Sequence, residues 1–477
     1  MRRKIFDHCE KDNLLEDSLP EDGIVLAEEA MTPEDIRWKE NEEGKIVFQG
    51  YKDENVRRLK IPKSIDGKQV AIISNDFEHY NKYLLSIEIP GSVVVIGKYA
   101  FFDCPRLEKI TVDKSNPAYE SDDAGALYNK GKSILICCPA EVKEISIPGS
   151  VRTIENNAFY DCDKLEKITV DKGNSAYESD DAGVLYNKGK TTLIYCPPKC
   201  KVASIKIPDS VSIIECGAFA GCKSLSSISI PSSVGDICEP FFCCHKLEKI
   251  VVDERNPMYE SDDAGVLYNK GKTTLICCPA GTKETSIKIP SSVSVIKESA
   301  FHSCKNLIRI DIASGITDIG DEAFENCTSL THIEIPEGVS RIGLETFKFC
   351  TSLLSVEIPD SVSCIEGRAF YHCSSLTSVN MPGVTHIGSE AFENCTSLTS
   401  IEIPEGVSDI ADSFYGCENL ESIKIPISVN RIRDCAFCDV DNLKDVYYAG
   451  SREQWDAIEI DMDGNDALNS AAIKFRT

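Results

Sequence analysis

The sequence has no apolar run near the ~18 residues that a transmembrane helix needs. It is also short of positive charge, since 51 Lys and Arg stand against 77 Asp and Glu and leave a net charge of −26. Nucleic acids and anionic membranes attract proteins through clustered positive charge. We therefore predict no nucleic-acid partner and no membrane insertion.

The start of the chain lacks the apolar segment of a secretory signal. Residues 2–4 are basic, but residues 5–23 are mostly polar and acidic. As it stands, the sequence predicts a cytoplasmic protein. A cell-surface or secreted protein is expected instead if a signal has been removed.

Proline recurs at a periodic position in the sequence. Eleven of the 21 prolines follow an Ile or a Met in a recurring position, and from Ile289 to Met381 that position returns every 23 residues. A period of this length is typical of solenoids, in which each unit buries its apolar side chains only against its neighbours.

One unit, residues 330–350, shows the pattern L-x-x-I-x-I-P-x-x-V-x-x-I-x-x-x-x-F-x-x-C. The alternating I-x-I predicts a short strand with both Ile side chains pointing inward, and proline ends its ladder. The V-x-x-I segment predicts a second short extended piece. The Phe-x-x-Cys segment predicts a short 3₁₀ or α turn that inserts Phe into the core.

Three units are longer because they contain nearly identical insertions. Residues 119–139, 177–197 and 259–279 each read Y-E-S-D-D-A-G-x-L-Y-N-K-G-K, followed by an apolar run that ends in Pro. This pattern predicts β-hairpins that project from the solenoid edge, near residues 113–140, 171–200 and 253–280.

The fold class predicted is a β-rich solenoid with a parallel strand ladder and about 15 or 16 coils over residues 44–445. Residues 1–43 are predicted to be a mobile acidic arm or a helical cap, since residues 7–43 hold 14 acids against three Lys and Arg. Residues 446–477 are predicted to be a C-terminal cap. It contains a helix that opens with the capping box at Ser451–Gln454 and a last strand with Ile473 and Phe475.

The repeated motif resembles the BspA-type leucine-rich repeat family over residues 44–477, and the ending V-Y-Y-A-G-S-R-E-Q-W is similar to the close of many such proteins. The resemblance implies a right-handed leucine-rich repeat solenoid. It also implies a mostly bacterial surface or secreted protein that engages in adhesion or protein binding, with no catalytic residue set.

Cysteine is abundant, and ten of the 23 cysteines occupy one slot, three residues after the Phe. We interpret the slot as an inward ladder of small apolar side chains with weak S–H donors, while a disulfide between neighbouring coils stays open. So many unpaired thiols favour a reducing environment. The slot is filled by Cys104, Cys162, Cys222, Cys244, Cys304, Cys327, Cys350, Cys373, Cys395 and Cys417.

Other cysteines and acids give only weak signals of chemistry. Cys435 and Cys438 form a lone CxxC whose central residues are the Ala-Phe of the repeat, and Cys196 and Cys200 lack the second pair that a zinc ribbon needs. Each Ser-Asp-Asp loop offers two carboxylates, where Ca²⁺ takes six or more oxygens. We interpret these loops, at Asp122, Asp180 and Asp262, as turns, and predict no catalytic residues, no metal and no cofactor.

The exposed strand face is the predicted functional surface. The residue between the two inward Ile positions is acidic in four of the five consecutive coils from Asp311 to Glu402, although like charges on adjacent strands repel. Either the acids keep the sheet soluble, or they meet a basic partner or a cation. The candidate partner-binding residues are Glu88, Asp311, Glu334, Glu357, Asn380 and Glu402.

These features predict a non-catalytic, monomeric scaffold that binds a protein through the strand face, and the acidic column favours a basic partner. One alternative is a secreted or cell-surface adhesin. A second alternative is an enzyme with a site in the insertions.

Overall fold

The computed structural model describes residues 33–53, 56–75, 77, 82–461 and 463–475. Residues 1–32 of the predicted N-terminal arm or cap, which spans residues 1–43, lie outside the described residues. The chain divides into two compact units. The first unit comprises the residues up to Val202 with Ser210–Ser224 and Asp236–Cys243, and the second comprises Ala203–Asp209, Leu225–Gly235 and the residues from Cys244 onward.

Both units are β-solenoids. Together they have about 18 turns and almost no helix. This confirms the predicted fold class. The count exceeds the predicted 15 or 16 because strands also form before Arg58 and after Tyr448. The predicted boundaries of the solenoid and its caps stay predictions.

The first ladder is built from the I-x-I segments, and every strand pair in it is parallel. The predicted inward direction of the two apolar side chains is confirmed, since Ile423 and Ile425 are buried while Lys424 between them is exposed. In the first unit the strands of this ladder are Arg58–Lys60, Ser86–Ile89, Lys109–Val112, Glu144–Ile147 and Lys167–Val170. In the second unit they are Ser204–Lys206, Ser227–Ile230, Lys249–Val252, Ser286–Lys288, Arg309–Asp311, His332–Glu334, Ser355–Glu357, Ser378–Asn380, Ser400–Glu402, Ser422–Ile425, Asp445–Tyr448 and Ala472–Phe475.

The V-x-x-I segments form a second parallel ladder, as predicted, in which most strands have only two residues. In the first unit these strands are Ile46–Tyr51, Lys68–Ile73, Val95–Ile96, Ile134–Cys137, Thr153–Ile154, Thr192–Tyr195, Ile213–Ile214 and Asp236–Ile237. In the second unit they are Thr274–Cys277, Val295–Ile296, Asp318–Ile319, Arg341–Ile342, Cys364–Ile365, His386–Ile387, Asp409–Ile410, Arg431–Ile432 and Glu459–Ile460.

The Phe-x-x-Cys segments are successive hydrogen-bonded turns rather than turns of helix. Glu322 and Asn326 adopt left-handed backbone angles, with φ of 58° and 59°, on either side of Phe324. These angles interrupt a helix, so the Phe324 N–H bonds the Thr346 carbonyl of the next coil at 2.9 Å. The turns thereby form a third column of bonds between coils.

The phenylalanines of these turns stack through the core of the second unit. The rings of Phe301, Phe324, Phe347, Phe370 and Phe392 are completely buried. Neighbouring centroids in this series lie 5.3 Å apart with interplanar angles of 18° or less. The predicted insertion of Phe into the interior is therefore confirmed.

The insertions are β-hairpins, as predicted, but they do not simply project from an edge. Leu127–Asn129 pairs antiparallel with Ile134–Cys137, and Ile134–Cys137 then pairs parallel with Thr153–Ile154 of the second ladder. The returning arm is thus itself a ladder strand. The additional arms are Tyr119–Ser121, Leu127–Asn129, Tyr177–Ser179 and Leu185–Asn187 in the first unit, and Tyr259–Ser261 and Leu267–Asn269 in the second.

The end segments carry the few other elements. A 3₁₀ turn, Pro33–Asp35, leads into Ile36–Glu40, which pairs antiparallel with Ile46–Tyr51. The structure thus places Ile36 in a strand rather than in a helical cap, and its side chain is buried in the hydrophobic core. A short strand, Ser64–Ile65, pairs antiparallel with Lys68–Ile73.

The C-terminal segment has two short helices, Arg452–Trp455 and Asp466–Ser470. The predicted capping box is present, since Ser451 accepts from the Gln454 N–H and the Gln454 side chain accepts from the Ser451 N–H. Ala472–Phe475 pairs in parallel with Asp445–Tyr448. The predicted helix and last strand are therefore confirmed.

Candidate functional site: the exposed strand face

The strand face consists of the outward side chains of the first ladder. Glu334, the last residue of its strand, follows the buried Ile333, and its side chain is 84% accessible. The five strands from Ser286–Lys288 to Ser378–Asn380 form one sheet within the second unit. Because side chains alternate along each strand, this sheet presents one continuous outward column.

The structure brings three of the predicted residues together in register. Glu334 lies directly opposite Glu357, and Glu357 lies directly opposite Asn380. The Asn380 amide donates to Glu357 Oε2 at 2.9 Å, whereas Glu334 has the imidazole of His332 3.6 Å away. The two carboxylates therefore face each other across one strand spacing with little positive charge between them.

The other predicted acids are paired with cations. Asp311 accepts a hydrogen bond from Arg309 on its own strand at 2.5 Å, and Glu402 accepts from Lys424 on the adjacent strand at 2.7 Å. Glu88 belongs to the first unit, where its carboxylate lies 3.5 Å from Lys60. The predicted acidic column is therefore largely neutralised, and its unbalanced part is Glu334 with Glu357.

Apolar and hydroxyl side chains accompany these acids. Ile308 and Leu354 are 47% and 53% exposed immediately before strands of the same sheet. Ser355 lies opposite Ser378 in the register of that sheet. The surface thus combines negative charge with exposed hydrocarbon and hydroxyl groups, a composition that suits a protein surface rather than a small polar ligand.

The hairpin insertions contain a structural motif that the sequence interpretation missed. Asn116 is completely buried; its amide donates to the Pro90 and Val93 carbonyls, and its oxygen accepts from two backbone N–H groups. The Tyr119 hydroxyl accepts from the Ile96 N–H at 3.1 Å. Asn174 and Asn256 repeat the amide contacts. The sequence around these residues occurs three times, and this repetition could have indicated their structural role.

The first Asp of each Ser-Asp-Asp loop is used in folding. Asp122 Oδ1 accepts from the Ala126 N–H at 2.8 Å, and Oδ2 accepts from the buried Tyr128 hydroxyl at 3.0 Å. Burial and the Asp122 charge raise the pKa of Tyr128 well above its usual value. Asp180 and Asp262 make the same two bonds. Each loop therefore holds one occupied carboxylate, while the second, as at Asp123, is exposed.

The recurrent cysteines form the predicted thiol ladder in the core. Cys350 is completely buried and its thiol donates to the Phe324 carbonyl of the preceding coil at 3.2 Å. Burial raises the pKa of Cys350 well above that of a free thiol, which makes it unreactive. The same thiol–carbonyl bond recurs at Cys327, Cys373, Cys395 and Cys417.

Outside that ladder the structure contains a disulfide between neighbouring coils, Cys216–Cys238, with a Cα separation of 4.5 Å. Cys196 Sγ and Cys200 Sγ lie 3.6 Å apart and share a hydrogen bond rather than a disulfide. Hydrogen bonds from Cys196 and Cys222 lower the pKa of Cys200 to about 3. Sequence spacing could not single out the Cys216–Cys238 pair, because its formation depends on which coils are adjacent.

A buried cluster of charges on the turns was also missed. The carboxylates of Glu322, Glu325 and Glu345 offer oxygens that lie within 4.8 Å of one another. The Lys348 ammonium lies 2.9 Å from Glu345 and 3.4 Å from Glu325. Burial, and then the charges of Glu345 and Glu298, raise the pKa of Glu322 to about 8. The lysine thus supplies positive charge at this cluster.

No helix in the described part of the chain is both long enough and apolar enough to cross a bilayer.

Several solved structures resemble this chain. A leucine rich cell surface protein from Faecalibacterium prausnitzii is 26% identical, with 91% of this chain and 98% of that chain covered and a TM-score of 0.40. A leucine-rich repeat protein from Eubacterium ventriosum is 20% identical, with 86% and 87% covered and a TM-score of 0.43. The pneumococcal vaccine antigen PcpA is 19% identical, with 94% and 98% covered and a TM-score of 0.42. No curated protein matches the chain.

The family comparison covers most of the sequence. The model of the BspA type leucine rich repeat region matches in six copies, over residues 46–124, 70–181, 192–262, 278–384 and 364–457. These ranges contain most strands of both ladders. The hairpin arms Leu185–Asn187 and Leu267–Asn269 and the ladder strands Thr274–Cys277, Glu459–Ile460 and Ala472–Phe475 lie outside them. The chain belongs to the BspA-type leucine-rich repeat family.

Proposed function

We propose that this repeat scaffold binds a basic protein partner through the strand face of its second unit, centred on Glu334, Glu357 and Asn380. Leucine-rich repeat solenoids are typically non-catalytic, and such folds offer partners long ladders of outward side chains. The contact surface would extend to Asp311 and Glu402 along the same ladder. Glu88 lies in the first unit and is proposed only as a separate contact.

The observation that carries the proposal is the in-register placement of Glu334 opposite Glu357. Like charges directly opposite on adjacent strands destabilise a sheet. Nearby acids are balanced by Arg309 and Lys424, so the ladder accommodates cations readily at this face. A Lys or Arg of a partner placed between the two carboxylates would remove the repulsion and gain two charge-assisted contacts.

The flanking apolar side chains support the choice of a protein. Ile308 and Leu354 expose hydrocarbon beside the acids. A protein interface combines an apolar centre with polar and charged contacts around it. A free cation would gain nothing from these side chains.

The experiment compares two double charge reversals of equal size. Glu334→Lys with Glu357→Lys changes the strand face, whereas Asp181→Lys with Asp263→Lys makes the same change of net charge on exposed loop positions. Parent and variants are immobilised, incubated with extract of the native host and compared by quantitative mass spectrometry. We expect a basic protein that the parent and the loop variant retain and the face variant loses. Equal retention by all three forms would contradict the proposal.

A further inference from the structure

Cys435 and Cys438 lie outside the thiol ladder. The slot three residues after Phe437 is occupied by buried Val440. Neither cysteine is therefore needed to fill the core of this coil, and both side chains are half-buried rather than enclosed.

The repeat geometry brings these two positions into contact in several coils. The residue two positions before the Phe has a left-handed backbone, and its side chain contacts that of the residue directly after the Phe. In one coil these are Glu345 and Lys348, which form an ion pair at 2.9 Å. In the next coil they are Arg368 and Tyr371, whose guanidinium carbon lies 5.7 Å from the ring centroid. Cys435, with φ of 52°, and Cys438 occupy the same two positions.

The two sulfurs are close to bonding distance. Cys438 Sγ lies 2.6 Å from Cys435 Sγ and donates its proton to it. A disulfide bond is ~2.05 Å long, whereas Cys196 and Cys200 are 3.6 Å apart. The Cys438 N–H bonds the Cys435 carbonyl at 3.3 Å, which closes a turn whose ends are near enough for a disulfide.

The C-terminal segment holds this turn in place. The Cys435 N–H donates to the Asp463 carbonyl, and the Phe437 N–H donates to Asn465 Oδ1. A Cβ added at Gly464 would come within 2.7 Å of Cys435 Sγ. The dithiol is thus fixed by hydrogen bonds on one side and remains partly exposed.

We propose that Cys435 and Cys438 form a thiol–disulfide exchange site that reacts with small-molecule disulfides such as oxidised glutathione. The Cys435 thiolate attacks one sulfur of the reagent, the reagent's S–S bond breaks, and one thiolate leaves. Cys438 then loses its proton to solvent and attacks Cys435 Sγ of the mixed disulfide. The Cys435–Cys438 bond forms and the second thiolate leaves, so two protein thiols are oxidised while one disulfide is reduced to two thiols.

The roles of the two sulfurs follow from their surroundings. Cys435 accepts the hydrogen bond and is the attacking sulfur, whereas Cys438 is the resolving one. Burial and the bond to Cys435 raise the pKa of Cys438 to about 12, which disfavours it as the first nucleophile because the thiolate is the reactive form.

The test uses the full reduced chain in a glutathione buffer with equal parts of the reduced and oxidised forms. After free thiols are blocked, the tryptic peptide that spans residues 434–444 contains both cysteines. We expect this peptide to be about 2 Da lighter than the dithiol form, through loss of two hydrogen atoms. An unchanged dithiol, or linkage of either cysteine to another, would overturn the proposal.

Three variants separate the roles. Cys438→Ser is expected to trap a glutathione adduct on Cys435, and Cys435→Ser to leave Cys438 without one. The reverse pattern would overturn the assignment of the attacking sulfur. Cys364→Ser is the matched control, because Cys364 is a half-buried thiol that contacts Glu366, and it should leave closure of the Cys435–Cys438 bond unchanged.

Discussion

The ring of Phe347 stacks on that of Phe370 in the next coil, with the centroids 5.3 Å apart and the planes inclined by 12°. Phe347 makes the same contact with Phe324 on its other side. The rings of the neighbouring coils thus cover both faces of Phe347, which is the packing that a repeat of 23 residues requires.

Replacement of Phe347 by Ala should lower the free energy of unfolding by about 3–5 kcal/mol, because it leaves a cavity at a completely buried position. Denaturant unfolding followed by circular dichroism measures the loss. Phe349→Ala is the control, since Phe349 is half-buried and contacts Tyr371 only edge-on. A smaller loss for Phe347 than for Phe349 would contradict the stacked core.

The two aspartates of a hairpin loop should differ sharply. Asp122→Ala removes the acceptor of the buried Tyr128 hydroxyl, and we expect a loss of about 1–3 kcal/mol from the group left unsatisfied. Asp123→Ala changes an exposed side chain and should stay within about 0.5 kcal/mol. Thermal unfolding of the two variants measures the difference. Equal effects would show that the loop is merely a solvated turn.

Neutralising strand-face acids should have opposite effects on stability at two positions. Glu334→Gln removes the repulsion with Glu357 and should raise the free energy of unfolding by a few tenths of a kcal/mol. Glu402→Gln removes the pair with Lys424 and should lower it by about 0.2–1 kcal/mol. Denaturant midpoints at low ionic strength measure both. A loss at Glu334 would mean that its carboxylate is already balanced within the chain.

The raised pKa of Glu322 predicts a pH dependence. Because the folded-state pKa of about 8 exceeds the ordinary 4.5, its stabilising contribution is complete below pH 4.5 and is lost as the pH rises through 8. Glu322→Gln keeps an uncharged side chain there, so the variant should gain on the order of 1–2 kcal/mol over the parent at high pH. Unfolding at pH 5 and pH 8.5 measures this. A gain that is equal at both pH values would contradict the shift.

Much of the fold could be predicted because each coil repeats the same pattern of apolar residues, Pro and Phe. The alternation in I-x-I fixes which side chains are inward, and the spacing of Pro and Phe fixes the turns. The turn conformation was not predictable, because the left-handed angles at Glu322 and Asn326 arise from hydrogen bonds to the next coil. The place of the returning hairpin arm Ile134–Cys137 in the second ladder was not predictable either, because it depends on pairing with Thr153–Ile154 of the next coil.

The candidate site was predictable as a column but not in its charge balance. The sequence places Glu334, Glu357 and Asn380 on successive strands, and the structure confirms their register. The sequence does not reveal that Arg309 bonds Asp311 along one strand, nor that Lys424 bonds Glu402 on the adjacent strand. Those contacts depend on side-chain conformations, as does the approach of Cys435 to Cys438.

Hydrogen exchange of the second unit with and without the retained partner tests the binding proposal most directly. The proposal predicts added protection in the peptides that contain His332–Glu334, Ser355–Glu357 and Ser378–Asn380, and no added protection in the same peptides of the Glu334→Lys, Glu357→Lys variant. Protection confined to the turns around Phe347 or to the hairpin arm Leu267–Asn269 would contradict it.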